Sequence, residues 1–125
     1  MSGLPRESCG ILLGAQTDEG WLVSEIEQSR NIAPQDRNDR FEIDPTILLR
    51  VQKAVRAGGP QMIGVYHSHP NGHAEPSATD LATQWQTGMI WLITSVNGAA
   101  IMTRAWLREA TSFVPVPLQT METEP

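Results

Sequence analysis

The sequence is poor in the features that would place it outside the soluble globular class. It has a single cysteine, Cys9, so no internal disulfide can form and nothing argues for an oxidising compartment. A structural zinc site rich in thiolates is excluded for the same reason. No stretch approaches the roughly 18 consecutive apolar residues of a membrane helix. The first residues, Met1-Ser2-Gly3-Leu4-Pro5-Arg6-Glu7, contain neither a basic nor an apolar block, so no secretory signal is visible in them. A reducing cytoplasm is the expected compartment. Basic residues are also scarce: the net charge is -5, and no basic stripe exists to displace phosphate counterions, which argues against nucleic acid as a partner. Internal repeats and low-complexity segments are absent.

What remains is 125 residues, 40% hydrophobic and 18% charged. That is enough for one domain with a real core. Residues 1–116 are expected to form that domain, and 117–125 to be a tail with little to bury.

Cys9 to Gly14 is an apolar run bounded by glycine, which suits a strand buried on both faces. Turn chemistry at Thr17-Asp18-Glu19-Gly20 and renewed alternation from Trp21 to Ile26 predict an antiparallel hairpin. Ala33 to Arg40 reads as a surface loop, and Phe41-Glu42-Ile43 as a brief strand. Asp44-Pro45 opens a helix, with Asp as N-cap and Pro in the first turn. Its apolar stripe is Ile47, Leu48, Val51, Ala54 and Val55, and Gly58-Gly59-Pro60 stops it. Met62 to His69 is the next strand, followed by a loop over Asn71 to Pro76 and a helix from Ser77 to about Gln86. Met89 to Val96 and Ala99 to Leu107 form a second hairpin about Asn97-Gly98, and Phe113-Val114 an edge strand.

The chemistry concentrates in His67-Ser68-His69-Pro70 and in Ser77 and Asp80. Residues i and i+2 of a strand share a face, so His67 and His69 present two imidazoles to one ion. Asp80 lies about one turn into the following helix. Two imidazoles, one carboxylate and an open fourth position match a catalytic zinc better than a closed structural one. A plainer reading stands beside it: Ser77-Ala78-Thr79-Asp80 has the form of a capping box, and taken alone that pair favours the cap. The two readings are compatible, because a capped helix start is a rigid mount for a ligand. His73 is expected in solvent. Cys9, Trp85, Trp91 and Trp106 are expected in the core, and Trp21 is open.

These residues resemble the JAMM/MPN+ metalloprotease family. Its pattern is an upstream glutamate, then His-x-His, ten residues and aspartate, with a serine three positions before the aspartate. Glu7, His67, His69, Ser77 and Asp80 match it. So does the wording Glu-Ser-Cys-Gly-Ile-Leu-Leu-Gly at the first strand and Gly-Val-Tyr-His-Ser-His-Pro at the metal strand. Phe41-Glu42-Ile43-Asp44-Pro45 looks like the compact bacterial branch.

The resemblance implies an α/β (mixed α+β) fold, a largely antiparallel mixed sheet flanked by helices and similar to cytidine deaminase. It implies one Zn2+ on His67, His69 and Asp80, Glu7 as general base, and Ser77 supporting the oxyanion. The implied reaction is amide or isopeptide hydrolysis at the C-terminus of a ubiquitin-like or sulfur-carrier protein, and a second copy of the chain is a further candidate partner. Family members often carry an amphipathic helix before the glutamate, whereas six residues precede Glu7 here, so one sheet face is expected to be open. Two rival functions are a catalytically silent scaffold of the same fold and a zinc amidase for a small molecule. A deaminase of the usual kind would need a Cys-x-x-Cys pair, which this sequence lacks.

Overall fold

The structure, a computed structural model, describes residues 9–32, 41–69, 74–77, 80–81, 87–97 and 100–119, the side chains of His69, Val96, Asn97 and Ala100 excepted. Six strands form one mixed sheet: β1 (Cys9–Thr17), β2 (Gly20–Ser29), β3 (Gln61–His69), β4 (Ile90–Asn97), β5 (Ala100–Arg108) and β6 (Phe113–Val116). Their order is β2-β1-β3-β4-β5-β6. Only β3 and β4 run parallel; every other neighbouring pair is antiparallel. Mixed α/β architecture with a mostly antiparallel sheet is what the family resemblance implied.

Both expected hairpins form, but the second returns one residue later than the sequence reading placed it: Asn97 belongs to β4, and β5 starts at Ala100 rather than Ala99. β1 and β2 close at Thr17 opposite Gly20, and Gly20 has a positive φ of 137°, a conformation that glycine adopts without steric cost. In the second hairpin Asn97 pairs with Ala100, while residues 98 and 99 lie outside the described set. β1 is buried from Cys9 through Gly14, as a strand with two apolar faces must be.

Helix α1 (Pro45–Arg56) begins where its cap does. The Asp44 carboxylate accepts the Thr46 amide at 2.9 Å and pairs with Arg30 at 3.1 Å. The backbone bond from Thr46, then the Arg30 guanidinium, holds this carboxyl below its ordinary range. Val51 is buried, and Ile47, Leu48 and Val55 pack against the same core. Ala54, read as part of that stripe, is exposed.

Phe41-Glu42-Ile43 is not a strand. Ile43 makes one isolated bridge to Asn31, the Asn31 side chain takes the Glu42 amide at 2.9 Å, and Pro45, which has no N–H to donate, opens the helix two residues on. β6, in contrast, is longer than expected and runs through Pro115 to Val116. It is an edge strand, the one place in a sheet where proline is tolerated.

The two sheet faces differ. One, carrying Cys9, Ile11, Leu13, Val65 and Trp91, packs with Phe41, Ile43 and α1. The other holds Leu12, Ile63 and Ile90, with Trp21, Tyr66 and Leu92 half-buried around them. Ile26 and Ile101 on this second face are 58% and 71% exposed. No helix among the described residues covers it. At the centre, a Cβ on Gly64 would overlap the Ile90 carbonyl, so β3 and β4 approach each other as only glycine permits. Among the described residues no helix is long and apolar enough to cross a membrane.

Candidate active site

A parallel pair requires a crossover of a dozen or more residues, and the crossover between β3 and β4 carries Ser77 and Asp80. β3 delivers the first of the candidate side chains. Its alternation puts Val65 and His67 on the face that packs with α1, with Cys9 of β1 opposite His67 on one side and Ile93 of β4 on the other. His67 is 1% exposed. Its ring stacks on Phe41, with centroids 4.4 Å apart and planes 18° from parallel, and meets the edge of Trp91 at 5.6 Å. Two aromatic contacts thus fix the ring plane.

Asp80 arrives from the crossover and is equally buried, at 1% exposed. Its Oδ1 lies 3.3 Å from His67 Nε2. Its Oδ2 accepts the Ser77 amide at 2.9 Å, and the Asp80 amide donates to Ser77 Oγ at 3.0 Å. The capping box read from the sequence is therefore present, with Asp in the place usually held by Glu or Gln. It uses one carboxylate oxygen and leaves the other directed at the histidine. Cap and candidate ligand are the same side chain. Ser77 is exposed, and because its Oγ serves here as an acceptor, its hydroxyl proton can still be donated elsewhere.

Of the sequence-derived set, the structure brings His67, Asp80 and Ser77 together. His69 sits at the end of β3, two residues beyond His67 and paired with Ser95; its side chain is outside the description. Glu7 and His73 also lie outside the described residues, as do Trp85 and most of the helix expected from Ser77 to Gln86, of which Asp80 and Leu81 are helical. No three His, Cys, Asp or Glu side chains among the described residues form a metal-holding group. The donor chemistry of the described pair nevertheless suits zinc. Two donors bound to one tetrahedral zinc at about 2.0 Å lie about 3.3 Å from each other, which is the separation of His67 Nε2 and Asp80 Oδ1.

Cys9 is fully buried opposite His67, and its thiol lies 3.7–3.9 Å from the Ser29, Arg30 and Glu42 carbonyls. Those contacts give it the structural role expected of a small core residue. Trp91 is fully buried, and Trp106 packs against the same core. Phe41 escaped the sequence reading as a neighbour of the site, since its contact with His67 spans 26 positions and has no local signal.

A family model for prokaryotic homologs of the JAB domain matches residues 1–109. The chain belongs to the prokaryotic JAB family. A desampylase of Haloferax volcanii is 33% identical over 94 residues, 75% of this chain and 66% of that protein. A probable TtuB-protein conjugate cleaving protease of Thermus thermophilus is 31% identical over 77 residues, 62% of this chain and 48% of that protein. This JAB chain thus spans about half to just under two thirds of the length of these curated relatives. In fold it is similar to the solution structure of a Desulfitobacterium hafniense protein, with a TM-score of 0.83, 26% identity, and coverage of 97% of this chain and 82% of that one.

Proposed function

We propose that this JAB-family chain is a zinc-dependent isopeptidase that releases a ubiquitin-like or sulfur-carrier protein from an amide bond at its C-terminus. The observation that carries the reading is the buried His67–Asp80 pair, 3.3 Å apart, with the Ser77 hydroxyl on the same capped turn. Relatives named for desampylation and for cleavage of TtuB-protein conjugates support the substrate class. The proposed catalytic unit is residues 1–116, with 117–125 a tail outside it.

In this reading His67, His69 and Asp80 hold the metal. Zinc, when bound, brings the pKa of water to about 7 and polarises the scissile carbonyl. Glu7 takes the proton of the attacking water and passes it to the leaving amine. What supports its role is the family pattern, in which a glutamate opens the Glu-Ser-Cys-Gly run far upstream of His-x-His. Ser77 would stabilise the oxyanion by a hydrogen bond from its hydroxyl. Phe41 and Trp91 hold the His67 ring, and burial of Asp80 keeps water from competing for its carboxylate.

The test is direct. Zinc-loaded chain is incubated with sulfur-carrier proteins extended beyond their Gly-Gly ends, or joined through them to a lysine, and products are read by mass spectrometry. Cleavage at the Gly-Gly end that stops on chelation and returns with zinc is the expected result. Cleavage surviving complete metal removal would refute the zinc mechanism, and no cleavage of any such conjugate would refute the substrate class.

Ser77→Ala is expected to lower turnover by about a hundredfold, the usual effect of losing one oxyanion donor. It also removes the acceptor for the Asp80 amide, so unfolding has to be followed in parallel. An unchanged rate in a variant that folds normally would reduce Ser77 to a helix cap.

A further inference from the structure

β5 reaches the crossover with two side chains that the proposed chemistry does not use. Trp106 Nε1 donates to the Ala74 carbonyl at 3.0 Å, and Arg108 Nη2 donates to the Leu81 carbonyl at 2.8 Å. Two residues apart on one strand, they point to the same face, the face that carries Trp91 and His67. Their acceptors bracket the segment 74–81, which holds Ser77 and Asp80.

The mounting is rigid. The Arg108 backbone is fixed on both sides, its amide donating to Met89 at 2.9 Å and its carbonyl accepting Gly88 at 2.8 Å. Its guanidinium lies over the Phe113 ring at 5.0 Å, and the residue is 6% exposed. A buried cation is costly unless it is hydrogen-bonded, so its charge-assisted bond to Leu81 has a geometric consequence. Leu81 follows Asp80 directly, and fixing its carbonyl fixes the turn from which the Asp80 carboxylate projects.

We propose that Trp106 and Arg108 are positioning residues, two sheet-mounted donors that clamp the crossover on either side of Ser77 and Asp80 and set the Asp80 carboxylate against His67. The metal consequence rests on the proposed role of Asp80 as a ligand; the clamp itself does not. A connecting segment left to itself samples many conformations, whereas a ligand set needs its donors held within about 0.5 Å. The clamp supplies that constraint from the sheet.

The experiment uses the full chain with Arg108→Met, which keeps an apolar stem over Phe113, Arg108→Lys, which keeps a donor, and Trp106→Phe, which keeps an aromatic ring without the N–H. Amide hydrogen exchange is measured on metal-free protein, and zinc affinity by competition with a chromophoric chelator. For Arg108→Met and Trp106→Phe, exchange at the Asp80 and Leu81 amides, which donate to Ser77 Oγ and to the Ser77 carbonyl, is expected to quicken about tenfold while the β1 and β3 amides hold their rates. Zinc affinity is expected to fall about 10- to 100-fold, and Arg108→Lys to recover most of both losses. Uniform quickening across sheet and crossover, or unchanged exchange at Asp80 and Leu81, would overturn the clamp and leave the two residues as core packing. The exchange measurement decides this even for a chain that takes up no metal. Localised quickening with zinc affinity unchanged would overturn the link from clamp to Asp80.

Discussion

Glu7→Gln is expected to reduce turnover by about 10²- to 10⁴-fold, the range for loss of a positioned general base, while zinc content stays at the wild-type level. The substitution keeps the size and shape of the side chain but removes its capacity to accept a proton. Nothing in the proposed ligand set changes, because His67, His69 and Asp80 supply the donors. The measurements are single-turnover cleavage of a Gly-Gly conjugate, followed by mass spectrometry, and elemental analysis of the same sample. A Gln variant that lost zinc as fully as His67→Ala would show Glu7 to be a ligand and the base to lie elsewhere. A variant with undiminished turnover would remove Glu7 from the chemistry altogether.

Legibility of the sequence tracked the locality of the signal. Asp44 and Pro45 mark the start of α1 because a cap and a fixed φ act within one turn. Thr17 to Gly20 and Asn97-Gly98 mark hairpins for the same reason. The alternation in β3 was enough to put His67 on one face. The Phe41 segment misled because its apolar pattern looked like a strand, whereas Phe41 is committed to stacking on His67 and Ile43 to a single bridge. Both partners are distant in the sequence.

The site was legible in a different way. Ser77 and Asp80 supported two readings that sequence alone could not separate, a cap or a ligand mount. The structure shows the cap formed through Oδ2 with Oδ1 still facing His67, so the cap does not exclude the proposed ligand role. Trp106 and Arg108, the proposed clamp, carry no signal in the sequence. Their bonds reach backbone carbonyls 32 and 27 positions away, and a carbonyl carries no side-chain identity for a motif to register.

His67→Ala is expected to be the most damaging single change to both stability and metal binding. Removing the ring leaves a void between Phe41 and Trp91, which on the scale of large-to-alanine core substitutions costs about 3–5 kcal/mol. It also removes the imidazole that lies 3.3 Å from the Asp80 carboxylate, itself 1% exposed. His67→Phe separates the two effects. A phenyl ring can keep the stack on Phe41 and the edge contact with Trp91 but offers no nitrogen, and Asp80→Asn in the same chain removes the buried charge as well. A metal that binds only the folded state stabilises it by RT ln(1 + [L]/Kd), about 2.7 kcal/mol at a hundredfold excess over Kd. The wild-type chain should therefore gain stability on adding zinc in chemical denaturation, and the H67F/D80N chain should unfold at the same denaturant concentration with or without it. If the double variant gains as much from zinc as the wild type, His67 is a core ring and the metal lies elsewhere. If it loses the gain while folding cooperatively, the metal requires the donors of the His67–Asp80 pair, and the ring stacked on Phe41 is what the fold requires.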